Sequence, residues 1–90
     1  MKISQFKNKN GQPIHNQFIL YDSEYTVFQS YNSIIVKIIF ENGKQQVYLD
    51  INTWNYSKTT TKYRNQFLSE TTKQTQAKID NGIYKLVDLN

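Results

Sequence analysis

At 90 residues the chain is long enough for a single domain spanning 1–90 and too short for two, since domains commonly run to about 100 residues. The lack of cysteine excludes disulfides and thiolate metal sites, so a core resting on 14 % aromatic residues has to be held by packing and strand pairing. A net charge of +4 points to nucleic acid or another anionic surface as partner, and no apolar run is long enough to span a bilayer, the longest cluster, IIVKIIF, being broken by Lys37.

In chain order, residues 1–11 form a candidate edge strand with poor alternation, followed by Pro13, which cannot donate to a ladder. The start MKISQFKNKN has no apolar segment of signal-peptide length, and a cytoplasmic setting is expected. QFILY and EYTVFQS are β-prone runs separated by Asp22-Ser23-Glu24, and Tyr31-Asn32-Ser33 leads into the central pair. All three glycines follow asparagine, at Asn10-Gly11, Asn42-Gly43 and Asn81-Gly82, which marks three reversals or caps.

The middle dipeptide carries the sharpest expectation. A two-residue turn at Asn42-Gly43 joins Ile34 to Phe40 with Lys44 to Ile51 as a hairpin. Pairing Glu41 with Lys44 then sets Ile38 opposite Val47, Val36 opposite Leu49 and Ile34 opposite Ile51, an aliphatic face. The other face carries Lys37 beside Tyr48 and Ile35 beside Asp50.

After Asn52 the period lengthens. Thr60, Tyr63, Arg64, Phe67 and Leu68 recur at helical spacing behind a capping serine or threonine, with Tyr63, Phe67 and Leu68 facing inward. A second helix starts near Thr71, where Thr71 and Gln74 match a capping box, and ends at Asp80 with Gly82 as terminator. IYKLV closes the sheet as a last strand. The expected fold class is α+β: an antiparallel meander packed by one or two C-terminal helices, with a closing C-terminal strand.

The segments FQSYNSII, TWNYSKTTTKYRNQFL and KIDNGIYKLVDLN together resemble a family of small, uncharacterised proteins from phages and mobile elements of Gram-positive bacteria, over about Phe28 to Asn90. The order W-x-Y-S-x-T-T-x-K-Y-x-x-x-F-L carries the resemblance; family members often have an acid where this chain has Asn55. The resemblance implies a phage-like origin and brings no activity with it.

Catalytic chemistry finds little footing. His15, the one histidine, lies in a polar segment with no acid at ligand spacing, which leaves no expected metal site. Seven acids scattered among turns and helix ends form no glycosidase-like pair, and no glycine-rich loop leads into a helix. Neither catalytic residues nor a cofactor is expected.

Binding residues are better represented. Residues 1–21 hold Lys2, Lys7 and Lys9 and residues 51–69 hold Lys58, Lys62 and Arg64, both windows without an acid. Within the second, Trp54 and Tyr56 adjoin the basic residues, so Trp54, Tyr56, Lys58, Lys62 and Arg64 form the candidate contact set for nucleic acid or a partner protein. A structural reading competes, in which the rings plug the seam between sheet and helix and Arg64 covers the core edge with its stem. Three roles follow: nucleic-acid binding, inhibition of a host protein such as a defence nuclease, and self-association through a strand edge. A helix-turn-helix is disfavoured, because the second helix offers only Ala77 and Ile79 for packing.

Overall fold

The computed structural model describes residues 2–90. Its elements are β1 (Lys2–Lys7), β2 (Pro13–Tyr21), β3 (Tyr25–Ser30), β4 (Ser33–Glu41), β5 (Lys44–Asp50), α1 (Lys58–Leu68), α2 (Thr72–Asp80) and β6 (Tyr84–Val87). The six strands lie in one sheet in sequence order. The first four pairings are antiparallel and the last, β5 with β6, is parallel. That switch follows from the connection: tight turns reverse the chain, whereas the route through α1 and α2 is the long crossover that a parallel neighbour requires. The α+β class stands, and residues 2–7 do supply an edge strand.

The central hairpin forms as its turn dictates. Asn42 and Gly43 both take positive φ, 52° and 76°, the requirement of a type I′ turn, whose twist matches that of the strands. Glu41 then pairs with Lys44, Ile38 with Val47, Lys37 with Tyr48 and Val36 with Leu49.

Beyond Val36 the expected register is interrupted. Phe28 pairs with Val36 but Gln29 pairs with Ile34, so Ile35 is the extra residue of a β-bulge. The bulge reverses the alternation, turning Ile35 into the core beside Val36, both fully buried, and Ile34 to the opposite face. Ile34 therefore does not face Ile51. Its N–H donates to Asn90 Oδ1 at 2.7 Å, and its carbonyl accepts from Asn90 Nδ2 at 2.9 Å, so the C-terminal tail satisfies the groups that the bulge takes from the ladder. Ile51 bonds instead to the Val87 carbonyl and stays exposed.

The core occupies one face of the sheet. Phe28, Ile35, Val36, Val47, Leu49 and Tyr84 are buried there under Tyr63, Phe67 and Leu68 of α1 and Ile79 of α2. Phe28 is its centre, edge-on to Phe6 at 5.3 Å between ring centroids and stacked on Phe67 at 5.6 Å. Ser57 caps α1 by accepting the Thr60 N–H, and Thr71 and Gln74 complete a reciprocal capping box on α2. Gly82, at φ 74°, ends α2 where the Ile83 N–H turns back to the Lys78 carbonyl.

Candidate functional site

The connection from β5 to α1 is fixed by Asp50. Its carboxylate accepts from Thr53 Oγ1 at 2.8 Å, Leu89 N–H at 2.8 Å and Asn52 N–H at 3.2 Å. Burial alone would raise its pKa, but hydrogen bonds from Leu89, Thr53, Asn90 and Asn52 outweigh that and hold it below the ordinary aspartate value. The Trp54 N–H donates to the Asp50 carbonyl, which seats the indole, half-buried, against the core.

Two members of the sequence-predicted set thus lie inside. The Arg64 guanidinium lies over the Trp54 ring, 5.1 Å from its centroid, and the residue is 0 % exposed. Arg64 donates through Nη1 to the Trp54 carbonyl and through Nη2 to Asn65 Oδ1 and Thr72 Oγ1, each at 2.8 Å. Burial pulls its pKa below the ordinary arginine value, opposed by the charge of Glu70. Arg64 therefore ties the loop before α1 to the start of α2, and without exposed surface it meets no phosphate in this conformation.

The other three reach solvent. Tyr56 is 53 % exposed, and Lys58 and Lys62 stand exposed on α1. Asn55, Tyr56, Ser57, Lys58 and Thr61 line a shallow depression of about 300 Å³ at the start of the helix. No acid occupies the first turn, so Lys58 adds to the positive end of the helix dipole. Lys62 Nζ lies 5.3 Å from the centroid of the Tyr63 ring, and the Tyr63 ring packs tilted against Phe6 with 5.8 Å between ring centroids. That ring contact joins the two acid-free windows of the sequence, with Lys7 following Phe6 and Lys62 preceding Tyr63.

The opposite face of the sheet carries a feature that sequence reasoning did not assemble. Successive pairings align Ile3, Leu20, Val27, Lys37, Tyr48 and Lys85 in one row across all six strands, on the side without helices. Lys37 Nζ also lies over the Tyr25 ring, 4.9 Å from its centroid. Two of the six were legible in the hairpin, which places Lys37 beside Tyr48; Ile3, Leu20, Val27 and Lys85 depend on pairings that no turn signal fixed.

Titratable groups elsewhere serve the scaffold. Glu70 accepts from Lys78 Nζ at 2.6 Å, the one salt bridge among the described residues, and from Thr75 Oγ1 at 2.7 Å. Burial would raise the Glu70 pKa, but the bonds from Lys78, Thr75 and Tyr84 and the Lys78 charge lower it. Burial raises that of Tyr84, whose hydroxyl receives Lys78 Nζ at 3.4 Å. His15 is exposed on β2, and among the described residues no three His, Asp or Glu side chains gather. No helix among the described residues is long and apolar enough to cross a membrane.

A six-stranded sheet with both helices on one face, a cationic helix start and a second face without helices define a small α+β protein. The chain belongs to a family of unknown function (DUF8033), whose model matches residues 1–82. No curated protein and no solved structure matches it.

Proposed function

We propose that this protein is a non-enzymatic accessory protein of a phage or mobile element, acting in the host cytoplasm by binding nucleic acid through the start of α1. The observation that carries the reading is the exposure of Tyr56, Lys58 and Lys62 around a helix N-terminus with no neighbouring acid. Lysines there neutralise backbone phosphates and the tyrosine offers a stacking face. Trp54 and Arg64 support the surface from beneath, fixing the loop that presents Tyr56.

Fluorescence anisotropy against salt concentration, with single-stranded and duplex probes, tests the reading. Binding should weaken steeply with salt, and replacing Lys58 and Lys62 together by glutamine should shallow the log–log slope by about 1.4 to 1.8, at roughly 0.7 to 0.9 per phosphate contact. No binding to either probe at low salt would refute it.

Inhibition of a host protein is the second reading. It is favoured by Ile51 and Tyr56, both more than half exposed on the same connection, since interfaces collect such side chains around aromatic anchors. A stoichiometric protein partner recovered from nuclease-treated host lysate, and lost with Tyr56→Ala, would favour it over nucleic acid.

A further inference from the structure

We infer that the helix-free face of the sheet is a second contact surface, which takes an unpaired nucleic-acid strand laid across β3 to β6. The inference rests on the nucleic-acid reading for its class of partner and goes beyond it in the face used and the strandedness selected.

Geometry provides the first argument. Lys37, Tyr48 and Lys85 are direct cross-strand neighbours on β4, β5 and β6. The two lysines therefore stand two strand spacings apart, roughly 10 Å, with the tyrosine ring between them. Tyr25, one pleat along β3 from Val27, adds a second ring beneath the Lys37 ammonium. A sheet face bearing a ring between two cations suits a base splayed out of a stack, with the backbone running over the lysines. A duplex keeps its bases stacked and offers the rings nothing.

Charge provides the second. Neither Lys37 nor Lys85 has an acidic partner among the described residues. Asp50, the carboxylate nearest the row on β5, is buried and occupied by Thr53, Asn52 and Leu89. Asp88 lies in the lining of the same hollow as Lys37 without forming an ion pair with it, so the face is apolar and aromatic with two lysines outside any salt bridge, suited to a polyanion that carries planar rings. A second copy of this chain would bring lysines to a face that already holds unpaired lysines.

A hollow of about 320 Å³ beside the row strengthens the case. It is lined by Leu20, Tyr25, Val27, Ile34, Lys37, Asp88 and Leu89. The bulge at Ile35 puts Ile34 into this lining, and the tail that supplies Asp88 and Leu89 is pinned there by the two Asn90 bonds to Ile34. The hollow has an aliphatic floor, a lysine and a carboxylate at its rim, and room for a planar ring.

The test compares a short fluorescent oligo-dT strand with a hairpin duplex, using wild type, Lys37→Gln/Lys85→Gln, Tyr48→Leu and Lys58→Gln/Lys62→Gln. Circular dichroism should show that each variant is folded, Tyr48→Leu keeping an apolar side chain in place of the ring. The expected result is that Lys37→Gln/Lys85→Gln and Tyr48→Leu each weaken binding of the single strand by about tenfold or more and leave duplex binding unchanged. If wild type binds neither probe, the nucleic-acid reading itself fails. If wild type binds the single strand, sheet-face variants match it and only Lys58→Gln/Lys62→Gln weakens it, that reading survives and the second surface is refuted. Sedimentation as a dimer that Tyr48→Leu converts to monomer would also overturn the inference, by assigning the face to self-association.

Discussion

Replacing Arg64 with methionine separates the two roles that a basic residue in this stretch could play. Methionine keeps the apolar stem and removes the guanidinium, which lies fully buried over Trp54. Asn65 and Thr72 lose a donor but already bond each other at 3.3 Å, so the main orphan is the Trp54 carbonyl. Leaving such a group unsatisfied costs about 1–3 kcal/mol, and loss of the desolvated cation–π contact adds up to about 2 kcal/mol. Part is returned because the buried Arg64 Nε, which has no hydrogen-bond partner, disappears as well. The expected net loss is about 2–4 kcal/mol, a large share of the roughly 5–13 kcal/mol typical of a chain this long. Urea unfolding followed by fluorescence of Trp54, the one tryptophan, measures it directly. Lys58→Gln/Lys62→Gln should instead stay within about 0.5 kcal/mol of wild type. A stability for Arg64→Met within about 0.5 kcal/mol of wild type would refute the assignment of Arg64 to the scaffold.

Gln17 is 1 % exposed, and neither atom of its amide group has a partner. Gln17→Met should therefore stabilise the fold by about 1 kcal/mol, read from the same urea midpoints, and destabilisation would contradict the account. Asp50 has its folded pKa below the unfolded value near 3.8, so its contribution is complete above that value and is lost as pH falls through the folded pKa. The stability gap between wild type and Asp50→Asn should then narrow on acidification below about pH 4, and a gap independent of pH would speak against the carboxylate's role. Gly43→Ala meets no neighbour within 4 Å but must hold φ near 76°. It should cost about 1 kcal/mol of backbone strain alone, and a neutral result would remove the turn assignment.

The parts of this fold that local chemistry determines were readable from the residues. Asn42-Gly43 set the turn, and alternation in the flanking strands set four pairings of the hairpin. The bulge was hidden because Ile34, Ile35 and Val36 are all aliphatic, so a change of face leaves no mark on the hydrophobic pattern. Parallel entry of β6 depends on the crossover path, which sequence periodicity does not encode. Arg64 illustrates a conflict between two signals. Its spacing placed it on the inner stripe of α1 with Thr60 and Phe67, whereas its charge argued for solvent; Trp54, Asn65 and Thr72 resolve the conflict in favour of spacing. The second face was obscured for a different reason: the hairpin set Lys37 and Tyr48 apart from the aliphatic face, but Ile3, Leu20, Val27 and Lys85 join them only through pairings that lie outside the hairpin.

The most direct measurement is a titration of isotope-labelled protein with a short single strand, followed residue by residue through amide chemical shifts at low salt. The account predicts saturable changes at Tyr56, Lys58 and Lys62 and, separately, along Lys37, Tyr48 and Lys85, with the Arg64 amide following only through its neighbours. Spectra that do not change over the whole titration would contradict it, as would changes confined to residues outside both surfaces.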